Sequence, residues 1–138
     1  MKKLLTRLCI LFLWLAGSLW AEPVFIVGPK VSIKSISRHE LDKILKGRQK
    51  SWPTGERIQL VLMKEGHLHE SILSSYASMN DSQFSSHWNS LVFTGKVSAP
   101  KSFATEADVI RFVATNDYAL GYAERAHLAE NIQILKIE

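Results

Sequence analysis

The stretch from Ile36 to Met63, ISRHELDKILKGRQKSWPTGERIQLVLM, predicts three consecutive pieces of structure: a short helix, a basic turn and a strand. Ser37 and Glu40 have the spacing of a capping box, in which a hydroxyl and a carboxylate satisfy free amide groups at a helix start. Gly47 predicts the helix end, because glycine readily adopts the left-handed conformation found just beyond helices. The helix is therefore marked at both ends by its own sequence.

The residues after this helix predict a chain reversal and then a buried strand. Pro53 fixes the backbone for the second position of a turn, and Gly55 suits the fourth. Ile58 to Met63 has Gln59 as its single polar residue, which is typical of a central strand. Because Val24 to Val27 is an earlier apolar run, the order strand, helix, strand predicts a right-handed crossover and a parallel pair.

The rest of the chain predicts three further helices and two further strands, with residues 96 to 102 as a loop. Strand and helix patterns that alternate in this way predict one α/β lobe with a mixed, mostly parallel sheet flanked by about four helices. The expected elements are a helix with the apolar stripe Leu68, Ile72, Leu73 and Tyr76; a helix capped by Asn80 or Asp81, ended by Thr94-Gly95, with Phe84, His87, Trp88, Leu91 and Val92 on one side; a helix capped by Thr105; and strands at Ala119 to Ala123 and Ile132 to Ile137.

Residues 1 to 21 have the features of a secretory signal peptide. Cations at positions 2, 3 and 7 precede an apolar run over residues 8 to 15, and small residues follow. The run is too short to favour spanning a bilayer, so an uncleaved membrane anchor is the weaker alternative. We expect cleavage after Ala21, since cleavage after Ser18 leaves Leu19 and Trp20 at the new terminus. The sequence thus predicts a leader over residues 1–21, one domain over residues 22–138, and a periplasmic location.

Removal of this leader changes the charge and the cysteine content. The 17 Lys and Arg residues fall to 14 against 13 acidic residues, which leaves a net charge near +1. We do not expect nucleic-acid binding, because it would need a basic field that survives on the mature domain. The single cysteine, Cys9, belongs to the leader, so residues 22–138 can form neither a disulfide nor a thiolate metal site.

The polar turn from Lys64 to Glu70 is the candidate binding site. In open α/β sheets ligands gather beyond the carboxyl ends of the strands, where a helix start offers free amides to an anion. The predicted anion-binding residues are Lys64, Gly66, His67 and His69, of which the glycine would allow close backbone approach. The alternative is an ordinary strand-to-helix connection with exposed polar side chains.

Metal binding and catalysis are both disfavoured. His67 and His69 diverge by about 200° on a helix, and no third ligand lies near them in the sequence. No serine lies in a nucleophile elbow and no carboxylates form a catalytic pair. We therefore expect neither a cofactor nor an enzymatic activity.

The basic turn itself is a candidate for partner contact. Arg48, Lys50 and Trp52 could meet an anionic lipid surface or an acidic partner. Two alternatives remain open, namely a solvated basic turn and a tryptophan that acts as a lid over the sheet edge.

Several landmarks together resemble the substrate-binding proteins of phosphate ABC transporters. Ile36 to Val61 resembles their short helix, tryptophan turn and strand, and Ala119 to Tyr122 resembles their Gly-Ile-Gly-Tyr type of strand. Trp88, Phe93-Thr94-Gly95-Lys96 and Pro100 follow in the same order as the intervening landmarks. The resemblance implies a periplasmic-binding-protein-like lobe that binds phosphate or another small oxyanion for transport or sensing.

The chain also departs from that family in two respects. Full-length relatives close two lobes around the anion, whereas this chain has the length of one lobe and is similar to the short, single-domain members. Their Arg-Ser-Asp-Gly-Ser-Gly-Thr turn corresponds to Met63 to His69 here, where only Gly66 and the acidic Glu65 match. The resemblance therefore leaves a second hypothesis open: an interaction protein that docks on a membrane transporter or sensor subunit, with dimerisation as a further possibility.

Overall fold

The computed structural model describes residues 21–138, so the expected signal peptide lies outside the described residues except for Ala21. No helix in this range is long and apolar enough to cross a bilayer. The strands are β1 (Pro23–Val27), β2 (Ser35–Ile36), β3 (Gln59–Met63), β4 (Lys101–Phe103), β5 (Ala119–Glu124) and β6 (Gln133–Ile137). The α-helices are α1 (Arg38–Leu45), α2 (His67–Ile72), α3 (Asp81–Phe93) and α4 (Glu106–Thr115).

These six strands form one sheet in the order β2-β6-β1-β5-β3-β4. Three pairs are parallel (β2 with β6, β5 with β3, β3 with β4), and β1 is antiparallel to both of its neighbours. The predicted parallel pair of β1 and β3 is therefore wrong, because β5 lies between them. Since β1, β3 and β5 are all continuous apolar runs, their sequences alone do not specify their order.

Helix α1 is capped as predicted at its first turn, but only half of the capping box forms. The Ser37 hydroxyl accepts a hydrogen bond from the Glu40 amide at 3.1 Å. The Glu40 carboxylate instead accepts from the Gln49 side chain at 2.8 Å, which ties the helix to the basic turn. Gly47 has a φ of +71° and ends the helix as expected.

The turn after α1 reverses the chain as predicted and buries its tryptophan. The Gly55 amide donates to the Trp52 carbonyl at 2.8 Å, and the Trp52 amide donates to the Glu56 carbonyl at 2.9 Å. The Trp52 side chain is 2% exposed, and its indole N–H donates to the Tyr118 carbonyl at 3.1 Å. The prediction that Trp52 is an exposed contact residue is therefore wrong, because its side chain is buried in the core.

The hydrophobic core lies on both faces of the sheet. Side chains alternate between faces along a strand, so Phe25 and Val27 of β1 point to one face and Val24 and Ile26 to the other. Helices α1, α2 and α3 cover the first face, and α4 covers the second. Gly121 of β5 lies under α4, where a Cβ atom would approach Val113 within 2.9 Å, so the absence of a side chain lets the helix pack closely.

Three local features differ from the sequence expectations. Residues 101–103 form strand β4 beside β3, although the loop expected over residues 96–102 included the first two of them. Helix α2 continues as a π-helical turn over Leu73–Ala77, and its buried side includes His69 and Ala77, whereas Leu68 of the expected apolar stripe is only partly buried. On α3 only Phe84 of the predicted apolar side is fully buried, and Val92 is 40% exposed.

Candidate functional site

The chain has a topological switch point between the parallel strands β3 and β4. Helix α2 follows β3 and packs on the first face through Ile72, whereas α4 follows β4 and packs on the second face through Val109. Helices that leave neighbouring strands toward opposite faces open a crevice at the carboxyl ends of those strands. The Lys64 amide donates to the Phe103 carbonyl at 2.9 Å and holds the two strand ends together at this crevice.

The four predicted anion-binding residues do not converge on one point. Lys64, Gly66 and His67 are exposed on the turn, and only a Met63 methyl, at 3.9 Å, lies near the position of a Cβ atom on Gly66. His69 faces the core and is 3% exposed. Of the four, Lys64 and His69 line a common cavity.

His69 is held between two side chains that the sequence analysis did not connect to it. The Tyr122 hydroxyl accepts from the Met63 amide at 2.8 Å, so its own proton is available to His69 Nδ1 at 2.5 Å. With Nδ1 as acceptor, the neutral ring carries its proton on Nε2 and donates to Asp81 Oδ1 at 3.2 Å. Both ring nitrogens are thereby occupied, and His69 is a structural residue at this site and not a free ligand.

The Tyr122 hydroxyl in this hydrogen-bond network stays protonated. Burial of the phenol raises the pKa of Tyr122 well above its ordinary value, and this effect exceeds the opposite effect of the hydrogen bond from Met63. The ring also stacks near His69, with ring centroids 6.1 Å apart. The three side chains join β5, α2 and α3 under the crevice and fix the floor of the site.

A cavity of about 250 Å³ opens above this floor between the carboxyl end of β3, the segment that leads into β4 and the inner side of α3. Lys64 supplies a cation, while Asp81, whose side chain is 46% exposed, supplies a carboxylate. Neutral hydrogen-bonding groups complete the polar lining, and they are Ser85, Asn89 and Ser102. A small ligand there would meet one positive charge, one negative charge and several neutral donors.

The two histidines of the turn do not form a metal site. His67 is exposed while both nitrogens of His69 are bonded, so the pair shares no ligand position. Within residues 21–138 no group of three His, Cys, Asp or Glu side chains is arranged to hold a metal.

The predicted contact residues Arg48 and Lys50 lie elsewhere, beyond the end of α1. Both are exposed, and the Lys50 ammonium donates to the Lys96 carbonyl at 2.7 Å. They lie toward the amino end of β3 and take no part in the crevice at its carboxyl end.

The sequence predicted Lys64 but did not indicate Tyr122, Asp81 or the neutral polar residues of the cavity as members of the site. A tyrosine within a fully buried strand does carry one signal, because a buried hydroxyl requires a hydrogen-bond partner. The partner itself was not visible, since His69 and Tyr122 are 53 residues apart in the chain.

Comparison with solved structures gives several related folds. An ABC-type phosphate transport receptor from Vibrio cholerae matches with a TM-score of 0.65 and 12% identity, over 85% of this chain and 46% of that chain. A putative phosphate ABC transporter substrate-binding protein from Clostridium perfringens, with bound phosphate, matches with the same TM-score and identity over 85% and 45%. A phosphate-binding protein from Stenotrophomonas maltophilia matches at 0.64 and 14% identity over 86% and 39%. No protein-family model and no curated protein matches the chain.

These matches establish the fold. The chain has the fold of part of a periplasmic substrate-binding protein and spans less than half the length of each of these three structures. The predicted fold class, a mixed and mostly parallel sheet with four helices, is confirmed.

Proposed function

We propose that the domain is an exported, non-catalytic module that binds a small oxyanion in the cavity between β3, β4 and α3. The observation that carries the proposal is the position of Lys64 and several neutral donors at the switch point, where ligands of open α/β sheets bind. Phosphate is the first candidate, because the proteins of similar fold include phosphate-binding proteins and one structure with bound phosphate. Lys64 is the counter-charge of the anion, while Ser85, Asn89 and Ser102 donate hydrogen bonds.

Asp81 determines which oxyanion can enter. A carboxylate only accepts hydrogen bonds, so an anion beside it must carry a proton of its own. Phosphate retains a proton at neutral pH and sulfate does not. The cavity should therefore bind phosphate in preference to sulfate, which would meet the Asp81 charge without a compensating bond.

Calorimetric titration of the purified protein with phosphate and with sulfate tests this role. We expect heat with phosphate and little with sulfate, and Lys64→Met should weaken phosphate binding roughly tenfold or more, because a charged hydrogen bond is lost. Lys34→Met is the matched control, since Lys34 is an exposed lysine next to β2 at the far edge of the sheet. Absence of heat and of any thermal shift with either anion at millimolar concentration would sink the proposal.

Asp81→Asn tests the basis of selectivity separately. The asparagine oxygen can still accept from His69, so the floor of the site is preserved while the negative charge is removed. We expect the preference for phosphate over sulfate to shrink or disappear in this variant. An unchanged preference would mean that Asp81 does not face the ligand.

The proposal of export is based on the signal-peptide pattern of residues 1–21, and the contacts of Glu22 support the expected cleavage after Ala21. The Glu22 carboxylate pairs with Arg125 at 2.9 Å, and its carbonyl accepts from the Arg125 amide at 3.0 Å, so Glu22 already belongs to the domain. Cleavage after Ala21 would preserve both contacts. Mass spectrometry of the protein from the periplasmic fraction should give a chain that starts at Glu22, whereas full-length protein in the membrane fraction would favour an uncleaved anchor.

An interaction role is the second candidate, and one specific feature favours it. Phe93, at the end of α3, is 92% exposed, with Val92 beside it at 40%. Exposed large apolar side chains of this kind occur at protein contacts. Light scattering after size exclusion, with crosslinking in envelope extracts, tests this role, because a strict monomer without an envelope partner would count against it.

A further inference from the structure

A second cleft, of about 320 Å³, lies at the opposite end of strand β3 from the oxyanion site. It is bounded by the end of α1, by the start of β3 and by the loop that precedes β4. Its charged lining consists of Lys50, Arg57 and Lys101, and no carboxylate lines it. We call it the basic cleft.

The cations around this cleft have no acidic partners within the described chain. Elsewhere Lys46 pairs with Asp42 at 2.7 Å and Arg111 with Asp108 at 2.8 Å. No ion pair among residues 21–138 involves a cation of the cleft or of its rim, namely Arg48, Lys50, Arg57, Lys96 and Lys101. In a domain of net charge near +1, this face concentrates uncompensated positive charge and attracts an anionic partner.

The floor of the basic cleft is apolar. Ile58, Leu60 and Trp88 line it together with Val97 and Phe112. The Trp88 indole N–H donates to the Leu45 carbonyl at 2.9 Å, so its ring is fixed in place. The cleft can therefore accept an apolar side chain as well as charged groups.

The cleft also lies beside a part of β3 that lacks a strand neighbour on one side. Strand β4 pairs with β3 only over Val61 to Met63, whereas Gln59 and Leu60 pair with β5 alone. Both residues line the cleft, together with residues 99 and 100, which lead into β4. An extended segment of a partner fits along this edge beside them.

We propose that the basic cleft binds an extended acidic segment of a partner protein. Its carboxylates pair with Lys50, Arg57 and Lys101, and one apolar side chain between them packs against Trp88. A protein segment fits better than a lipid surface, because the cations line a concave cleft with an apolar floor and do not form a flat face. The basic cleft adjoins the oxyanion cavity, because Trp88, Ala99 and Pro100 line both, but none of its three cations lines that cavity.

Fluorescence anisotropy with a labelled peptide in which glutamates alternate with leucines tests the proposal. We expect saturable binding that weakens as salt is added, since exposed charge pairs are screened. A peptide with glutamine in place of glutamate should not bind. The double variant Arg57→Gln, Lys101→Gln should bind the acidic peptide roughly tenfold more weakly or worse.

The matched control is Lys34→Gln, Lys136→Gln, which removes two exposed cations near β2 and β6 and should leave peptide binding unchanged. Phosphate titration of the double variant checks its fold and separates the two proposals, since Lys64 is intact. Four results would overturn the proposal that the basic cleft binds an acidic segment: no peptide binding, equal binding by the double variant, displacement of the peptide by inorganic phosphate even from the Lys64→Met variant, or tighter binding to phosphatidylserine vesicles that the double variant retains.

Discussion

The Tyr122 hydroxyl is a single group on which three elements depend. It accepts from the Met63 amide at the end of β3 and bonds to His69 of α2, which in turn bonds to Asp81 of α3. Removal of one member of a buried network leaves the others without partners, and that penalty exceeds the value of the bond itself.

Tyr122→Phe should therefore lower the free energy of unfolding by about 1–3 kcal/mol, because the Met63 amide and His69 Nδ1 both lose their partner. Denaturant unfolding measures this change. Tyr76→Phe is the control: Tyr76 is partly buried, and its packing on Phe25 and Arg38 involves the ring alone. An equal effect of the two variants would show that the hydroxyl of Tyr122 contributes nothing special.

His127 should make stability depend on pH. Its hydrogen bond to the Glu106 carboxylate, at 2.8 Å, and the charge of that carboxylate raise the pKa of His127 above its ordinary value. A raised pKa in the folded state means that the pair stabilises the protein below the unfolded pKa, about 6.5, and that this stabilisation is lost as pH rises through the folded pKa.

His127→Gln isolates this effect from the other titrating groups. The melting temperature of the variant should fall below that of the wild type at about pH 6, and the gap should close by about pH 8 to 9. His39→Gln is a control, because His39 is an exposed histidine on α1 that forms no hydrogen bond or ion pair within residues 21–138. A gap that widens with pH would contradict the assignment.

At the residue scale, the sequence predicted the features that depend on residues close together in the chain. The caps at Ser37 and Thr105 follow from contacts across three residues, and both form. The burial of His69 and the free charge of the basic cleft depend on residues far apart in the chain, so no local pattern could reveal them.

At the scale of the elements, two glycines end helices in the same backbone conformation but in different surroundings. Gly47 follows α1 with a φ of +71°, and Gly95 follows α3 with a φ of +73°. A Cβ atom on Gly47 would lie 2.8 Å from the Trp88 ring, whereas one on Gly95 would meet nothing within 4 Å. Alanine substitutions at these two glycines therefore separate the free-energy cost of the left-handed backbone from the cost of the contact with Trp88.

Gly95→Ala should cost roughly 1–2 kcal/mol, the penalty of a left-handed alanine. Gly47→Ala should cost about 1 kcal/mol or more beyond that, since the Trp88 ring is held by its bond to Leu45 and resists displacement. Denaturant unfolding gives the energies, and a change in tryptophan emission should accompany only Gly47→Ala. Equal costs would mean that the ring moves freely.

Other elements were beyond prediction for identifiable reasons. Strand β4 has only three residues, two of them exposed, and is a strand because β3 offers it hydrogen bonds. The π-helical turn after α2 changes which side chains face inward, and a constant helical period cannot anticipate that change. The order of β1, β3 and β5 depends on packing between residues far apart in sequence.

At the scale of the whole molecule, the fold encloses two apolar clusters that share their strands. Leu62, Leu120 and Tyr122 belong to the first cluster, while the adjacent Val61 and Ala119 belong to the second. Neither cluster can open without displacing the strands that hold the other. A domain whose two apolar clusters share strands in this way should therefore unfold as one cooperative unit.

The variant Val109→Ala tests this cooperativity, because it weakens the second cluster, which contains no tryptophan, while tryptophan emission reports on the first. Trp52 and Trp88, the only tryptophans of residues 22–138, both lie at the first cluster, whereas Val109 is fully buried in the second. Loss of two buried methyl groups should cost about 2 kcal/mol. If the domain is one unit, tryptophan emission and far-ultraviolet circular dichroism should shift together to the same lower denaturant midpoint. If the emission midpoint stays in place while the dichroism midpoint falls, the two faces of the sheet unfold separately, and α4 unfolds before the first cluster.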